Sequence, residues 1–586
     1  MEVLKWYIHS NSNRRGANFL KNLDYDDLLT GPDPNKVFIL PIGGCGQFGM
    51  NTTLYIYQNQ VYVVDCGVQF GDADRPGVDA IINDLSPFLN KFGKVTAWIF
   101  THGHEDHIGA IPYVYDRWPA PVYCSPWTWE LIQGKFLKKG REQPAKPTIL
   151  EADHKYEIGP LSFYFVPVNH SIPMAGALAM QFGKLRIFHS GDYKLDATPI
   201  GEKSCGAEPL QALAKAQPFD LFLSDSTNAP LPGFCPSESS TVAHLDAIIA
   251  AAPAAVIATT FSSNVWRIKT LIELASKHGR KIIPFGSGII ANIKLATKFG
   301  YLNETQHVML SDDEFPRLPR DKVMVIATGT QAEFGSGMHR LAQNEHHSIR
   351  IAPGDVVISS SRVIPGNEKY IGAMQDRLVQ LGATVLTGRS RPGIHVSGHG
   401  YRDDIQTYLT ALKPRYFVPI HGTWTHLDAC ASIGTSLTEK PPEVINIENG
   451  ELLALSPGRL AKMGVFELTT LYIDGYSSAI APVSEFRERF KIGELGCAIL
   501  WGCVDMDIGE WVVRPSIRLV GLPLPAHIDQ SKWLSQAKDK LSDSIYDAAH
   551  RMDQDSLNEF SRLALRRMLM DVIRKKVVVI SQIECV

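Results

Sequence analysis

From residue 37 the chain breaks into short apolar, β-branched runs separated by turn residues, at 37–40, 53–57, 61–65, 95–100, 122–123, 161–168, 177–182 and 185–188. Helical spacing appears between some of them, near 79–91 and 127–138. Strands and helices mixed in this order predict layered α/β packing. From about residue 236 the alternation becomes regular, with helical stretches at 238–251 and 265–278 set between strands at 256–260, 281–285 and 323–327. That is the pattern of a second, doubly wound α/β unit. Three short strands follow at 356–359, 384–386 and 416–419, the last running into His421. Beyond Pro441-Pro442 the texture changes again, to strands at 498–501 and 511–513 and a helix over about 530–552. In that helix Trp533, Ala537, Leu541, Ile545, Ala548 and Met552 recur at spacings of three and four, one apolar stripe. A further helix at 557–573 and a strand at 577–580 end the chain. Residues 1–35 are polar, with Gly31-Pro32-Asp33-Pro34 as a loop signal, and read as a terminal extension.

The chain has 586 residues, which predicts roughly two to four domains, each large enough for its own core. Charged residues at 20% and hydrophobic residues at 45% argue against disorder, collagen-like repeats and coiled coil. A formal charge of −3 gives no whole-protein basic field, which disfavours a sequence-specific DNA binder but leaves room for an enzyme with a locally basic groove. The nine cysteines include no CxxC pair and read as reduced packing thiols of a cytoplasmic protein, not as a disulfide framework or a cysteine zinc site. No secretory signal is visible at the N-terminus. The longest apolar run, 247–261, contains Pro253 and falls short of the roughly twenty residues that span a bilayer, so no membrane association is expected.

Chemistry concentrates in Thr101-His102-Gly103-His104-Glu105-Asp106-His107, directly after an apolar strand. Three histidines and an aspartate within six positions are ligand types that hold divalent zinc. Extended backbone puts His102 and His104 on one side, and the subsequent turn throws Asp106 and His107 the other way, so one loop can feed two metals. Further ligands are available where other predicted strands end, at His170, Asp192 and His421. Taken singly, each of these three reads at least as well as a structural residue. Asp225, in Leu223-Ser224-Asp225-Ser226-Thr227-Asn228-Ala229, reads equally as a cap or turn residue, and Ser262-Ser263-Asn264 as the cap of the helix that begins at Val265. The Gly43-Gly44-Cys45-Gly46 run is no dinucleotide fingerprint and reads as a tight loop. Lys135, Lys138, Lys139 and Arg141, and Arg389 with Arg391, are either solvated faces or contacts for a nucleic-acid backbone.

The order of these elements, HxHxDH, a strand-end His, Ser190-Gly191-Asp192 and a distant His, resembles the dinuclear metallo-β-lactamase fold over about 37–450. The 223–229 stretch and His395-Val396-Ser397-Gly398-His399-Gly400 resemble motifs A and B of the β-CASP nucleases, with His421 at motif C. Several further segments are similar to ribonuclease J: Gly43-Gly44 with Gly49 and Asn51, 261–264 with Arg267, Thr328-Gly329 with Gln331 and Glu333, and 359–361 with 364–368.

The resemblance implies an α/β architecture: a metallo-β-lactamase αββα sandwich over 36–235 and 385–450, an inserted β-CASP α/β domain over 236–384, and a linker with a small C-terminal α/β domain over 451–586. It implies that His102, His104 and His170 hold one zinc, that Asp106, His107 and His421 hold the other, and that Asp192 bridges them, with manganese as the alternative metal. It implies that His399 donates the proton to the departing 3′ oxygen with Asp225 orienting it. It also implies that Ser262, Ser263, Asn264, His395, Val396, Ser397, Gly398 and His399 bind substrate. The expected activity is 5′-to-3′ exonucleolysis of 5′-monophosphorylated single-stranded RNA, with endonuclease activity, in mRNA turnover and rRNA maturation, by a homodimer or homotetramer. The pattern departs from the family at Met174, where an aspartate is usual, and at Ser287, where an arginine is usual. Two rivals remain open: another hydrolase of the same fold acting on DNA or a small molecule, and a non-catalytic RNA-binding paralogue.

Overall fold

The computed structural model describes residues 33–71, 75–90, 92, 95–302, 309–364, 366–505, 510–549 and 551–586. The expected N-terminal extension therefore lies almost wholly outside the described residues. The described residues form two compact units: those up to 69 with 83–468, and those of 70–82 with 469–586.

In the first unit, strands such as Gly176–Phe182, Leu185–His189 and Leu221–Asp225 are buried along almost their whole length, and Leu161–Pro167 over most of its own. Period-2 geometry sorts their side chains between two cores. Phe163, Leu178, Met180, Ile187, Leu221 and Leu223 face one way, into a cluster shared with Ile39, Tyr55, Tyr62, Ala97, Ile99 and Leu453 of a second sheet. Val166, Ala177, Ala179, Phe188 and Phe222 face the other way, onto Leu210 of the helix Glu208–Ala216, Ile405 and Leu409 of Arg402–Leu412, and Cys430 of Trp424–Thr435. The result is a sandwich of two sheets. One has eight strands, in the order Arg459–Val465, Glu451–Ser456, Val37–Gly43, Thr52–Tyr57, Gln60–Val64, Val95–Ile99, Val122–Cys124 and Thr148–Ile149. The other has seven, in the order Lys155–Ile158, Leu161–Pro167, Gly176–Phe182, Leu185–His189, Leu221–Asp225, Tyr416–Ile420 and Glu443–Val444.

Between Leu221–Asp225 and Tyr416–Ile420 the chain makes an excursion into a five-stranded sheet, in the order Lys281–Phe285, Val323–Ala327, Val256–Thr259, Val356–Ser359 and Thr384–Thr387. Every pairing in it is parallel, which demands crossover helices on both faces. Leu245, Ile268, Leu271 and Ile289 cover Val256, Ala258, Met324 and Ile326 on one face. Met338, Leu341, Met374 and Leu378 cover Ile257, Ile283, Val325 and Val357 on the other. This is the inserted doubly wound unit expected from the strand and helix alternation.

The second unit holds a four-stranded sheet and a three-stranded sheet, the latter formed by Trp511–Val520, Cys497–Val504 and Val578–Cys585. The apolar stripe of Gln530–Ala549 packs as its spacing predicts: Ala537, Leu541, Ile545 and Ala548 are buried, and Trp533 and Met552 flank the same cluster.

Three expected borders need correction. The sandwich runs past 450, because Glu451–Ser456 pairs with Val37–Gly43 and its hairpin partner Arg459–Val465 completes the sheet edge. The inserted sheet runs past 384, because Thr384–Thr387 pairs with Val356–Ser359. Residues 70–82, expected in the sandwich, belong to the second unit, where Val78–Asn83 lies beside Thr470–Asp474. Among the described residues, no helix is long and apolar enough to cross a membrane.

Candidate metal centre and the loops around it

The strand Val95–Ile99 runs parallel to Gln60–Val64 and Val122–Cys124 and delivers the histidine-rich loop at its C-terminal end. His104 is still extended, at φ −71° and ψ 153°, and the short helix Glu105–Ile108 begins immediately after it. This switch points His102 and His104 one way and Asp106 and His107 another, as the spacing predicts. Leu185–His189, Leu221–Asp225 and Tyr416–Ile420 are mutually parallel, so the loops leaving their C-terminal ends emerge at the same edge of the second sheet. That edge carries Asp192, Asp225 and His421, with His170 arriving from Leu161–Pro167, which Gly176–Phe182 separates from Leu185–His189. Gly67 lets the loops close up: a Cβ there would lie 1.6 Å from the carbonyl oxygen of Asp106.

Seven side chains converge here, in two sets that share Asp192. In the first set, His104 Nδ1 lies 3.1 Å from His102 Nε2 and 3.0 Å from His170 Nε2. Asp192 Oδ2 lies 3.5 Å from His102 Nε2 and 3.6 Å from His170 Nε2. In the second set, Asp192 Oδ1 lies 3.3 Å from His107 Nε2 and 3.5 Å from His421 Nε2, and Asp106 Oδ2 lies 3.2 Å from His421 Nε2. Nitrogens bound to a tetrahedral zinc at about 2.0–2.1 Å stand roughly 3.3 Å apart, so the spacing suits that ion. Asp192 Oδ1 is buried and accepts no hydrogen bond, an acceptor that a cation would satisfy.

Burial is the largest influence on these groups. It drives His102 and His170 well below the ordinary imidazole range and His104 to about 4, leaving the neutral rings that metal binding requires. Burial also pulls on His107 and His421, but the surrounding carboxylates outweigh it. Asp192, Asp106 and Asp65 hold His107 well above its ordinary value, and Asp192, Asp106 and Asp225 carry His421 to about 9. The carboxylate-rich half of the centre thus favours positive charge, from ring protons or from a cation.

An outer layer orients the rings, the usual accompaniment of a metal site. Asp65, at φ 61°, contacts His107 Nδ1 at 2.8 Å and accepts bonds from the backbone N–H and the hydroxyl of Thr101, both at 2.8 Å. Thr227 Oγ1 lies 2.7 Å from His421 Nδ1 and donates to Asp225 Oδ1 at 2.7 Å. Asn51 Nδ2 donates to Asp106 Oδ2 at 3.1 Å. His170 Nδ1 donates to the carbonyl of Gly398 at 2.7 Å, and a Cβ on Gly398 would come within 2.9 Å of that ring. Asp65, Thr101 and Thr227 in these roles were not anticipated from sequence.

His399 Nδ1 lies 2.7 Å from Asp225 Oδ2 and 3.9 Å from Asp192 Oδ2. Burial lowers its basicity, but Asp225 and Asp192 more than offset this and its pKa lies above the ordinary value. Ser397 Oγ accepts from Asn228 Nδ2 at 2.8 Å and from the His399 N–H at 3.2 Å. His395 Nδ1 is buried without a partner, and burial, then Arg267, holds that ring neutral down to about pH 3. Val396 buries its side chain, so only its backbone is open to a ligand. Arg267 sits behind this loop, fully buried, donating to both Glu238 oxygens at 2.7 and 3.0 Å and to the Ile394 carbonyl at 2.9 Å. Asn264 is committed to capping, accepting from the Arg267 N–H at 3.0 Å, and no hydrogen bond joins the Ser262 or Ser263 side chains to residues 395–399. Among the basic residues noted in the sequence, Lys135 pairs with Glu105 and Arg141 with Asp116.

Met174, one of the departures, adopts φ 57°, and its N–H donates at 2.7 Å to Glu202. Both line a cavity of about 600 Å³ with Phe165, Val168 and Tyr301. Burial raises the Glu202 carboxyl to about 7 from 4.5. A carboxyl whose folded value is raised binds more protons folded than unfolded between those values, so stability falls as pH rises from about 4.5 to about 7. Glu202→Gln is expected to raise the melting temperature at about pH 8 and to change it little at about pH 4.5, as thermal unfolding at both pH values would register.

Three family profiles match the chain: the beta-lactamase superfamily domain over 62–231, the ribonuclease J beta-CASP domain over 254–378, and the Zn-dependent metallo-hydrolase RNA specificity domain over 392–436. The chain is 35% identical over 566 residues to Ribonuclease J of Sinorhizobium meliloti, covering 93% of this chain and 97% of that protein. It is 34% identical over 511 residues to Ribonuclease J of Corynebacterium glutamicum (86% and 71%) and 32% identical over 503 residues to that of Thermus thermophilus (84% and 87%). A crystal structure of a protein of unknown function from Enterococcus faecalis V583 superposes with a TM-score of 0.51 at 18% identity, over 72% of this chain and 100% of that one, a likeness of fold. With its metallo-β-lactamase sandwich, its β-CASP insertion and relatives this similar over most of their length, the chain belongs to the ribonuclease J family.

Proposed function

We propose that this protein is a metal-dependent ribonuclease that hydrolyses single-stranded RNA to leave a 5′-phosphate and a 3′-hydroxyl. It proceeds 5′ to 3′ from a 5′-monophosphate, also cuts internally, uses two zinc ions and works in the cytoplasm. Asp192 carries this reading, because its two oxygens face two separate ligand sets. His102, His104 and His170 would hold one ion and Asp106, His107 and His421 the other. A pair of such ions supplies an activated water and neutralises charge on the attacked phosphate.

The chain's own groups do the rest. His399, steadied through Nδ1 by Asp225, presents Nε2 as the donor to the departing 3′ oxygen. The Ser397 hydroxyl and the backbone N–H groups of this loop offer donors to phosphate oxygens, with His395 placed in the same loop as a further substrate contact. Ser262, Ser263 and Asn264 stand as further substrate contacts, Asn264 also holding its helix end through Oδ1. The free, mostly buried cysteines suit a reducing compartment.

Digestion of one single-stranded RNA carrying either a 5′-monophosphate or a 5′-triphosphate tests this. Zinc-loaded wild type is expected to release mononucleotides faster from the monophosphate, and the Asp106→Ala/His107→Ala double variant is expected to release none. A wild type that holds two metals and cleaves neither RNA would refute the assignment.

A further inference from the structure

The segment 361–364 leaves the inserted strand Val356–Ser359 and carries Arg362, Val363 and Ile364, all exposed. It is pinned by one amide side chain: Gln331 Nε2 donates to the Arg362 carbonyl at 2.9 Å, and Gln331 Oε1 accepts from the Ile364 N–H at 2.8 Å. The Arg362 guanidinium donates through Nη1 to Asn228 Oδ1. Asn228 in turn donates through Nδ2 to Ser397 Oγ at 2.8 Å and to the His399 carbonyl at 3.1 Å. One side chain therefore separates this cation from the backbone of the proposed proton donor. Burial, then the Arg362 charge, lowers His426, on the helix just beyond His421.

Other arginines of this chain are neutralised: Arg267 by Glu238, Arg320 by Asp355 and Arg489 by Asp474. Among the described residues, no carboxylate lies within 4.0 Å of the Arg362 nitrogens. An exposed guanidinium that bonds Asn228 through Nη1 suits the fork geometry of a phosphodiester. Val363 and Ile364, 40% and 47% exposed, add apolar surface beside it that a ribose or base face would cover.

We propose that Arg362, with Val363 and Ile364, forms a subsite for a nucleotide flanking the cleaved linkage, the guanidinium gripping a backbone phosphate and the aliphatic side chains its base or ribose. This subsite rests on the ribonuclease reading.

The test is steady-state cleavage of a 5′-monophosphorylated single-stranded RNA by the zinc-loaded, full-length protein across a salt series. Wild type is compared with Arg362→Ala, Arg362→Lys and Val363→Ala/Ile364→Ala. Arg362→Ala is expected to raise KM roughly tenfold with little change in kcat, and to flatten the slope of log(kcat/KM) against log salt by about 0.7, the loss of one single-strand phosphate contact. Arg362→Lys is expected to keep the slope while losing part of the affinity, and the aliphatic double variant to raise KM at unchanged slope. A fall in kcat for Arg362→Ala with KM and slope unchanged would mean that the residue only positions Asn228, and would overturn the subsite. Wild type that neither binds nor cleaves the RNA would overturn the ribonuclease reading, and the subsite with it.

Discussion

Asp192→Ala is expected to lower kcat for RNA cleavage a thousandfold or more, on the order of 4 kcal/mol of transition-state stabilisation, and to leave fewer than two equivalents of zinc on a folded protein. The expectation rests on its place between the two ligand sets, with Oδ2 near His102 and His170 and Oδ1 near His107 and His421. Removing it takes one anionic ligand from both sets at once, whereas a histidine variant removes one neutral ligand from one set. Both sets are expected to weaken together, so elemental analysis after dialysis against a zinc buffer should show sub-stoichiometric metal. A variant that keeps two tightly bound ions would show that Asp192 is not the bridge. Thermal unfolding of the metal-free proteins guards against misfolding as the cause, since the histidines around Asp192 outweigh its burial and hold its carboxyl well below the usual range, so its removal also deprives those rings of an anionic partner.

His399→Ala is expected to lower kcat by roughly 10²–10⁴-fold while both metals stay bound. His399 lies 2.7 Å from Asp225 but 3.9 Å from Asp192, which suits a proton donor better than a ligand. The same ring also falls within a third grouping, with Asp192, Asp225 and His421, so a ligand role is a concrete competitor. Two readouts separate them. Loss of a proton donor leaves metal content at the wild-type value and spares a substrate whose leaving group departs as a stable anion, such as p-nitrophenolate. Loss of a ligand lowers metal content and slows both substrates alike.

The helix stripe from Trp533 to Met552, the parallel inserted sheet and the His102-to-His107 loop were legible in the sequence, because each depends on backbone geometry over a few residues. Period 3.6, period 2 and the switch from strand to helix act locally, so their residues are read directly from spacing. The order of motifs added the remaining candidate ligands by family resemblance, and the structure brings all seven side chains together. Asp65 escaped notice for the opposite reason. It supports His107 from 42 positions away, and nothing near it in the chain distinguishes it from an ordinary turn aspartate at a strand end. Glu238, the partner of Arg267, is 29 positions distant. The capping role that the local sequence offered for Asn264 is realised through its Oδ1, and it is compatible with a substrate contact by the same side chain.

Sequence by itself determined the fold class, the periodic elements and the chemistry of the histidine-rich loop, since hydrophobic period and residue type act at short range. Only the tertiary structure decided which strands close each sheet, why residues 70–82 join the C-terminal unit, and which buried acids and amides steady the candidate ligands. Those choices turn on pairing and desolvation between segments far apart in the chain, where a buried polar group is tolerated only if a distant partner satisfies it.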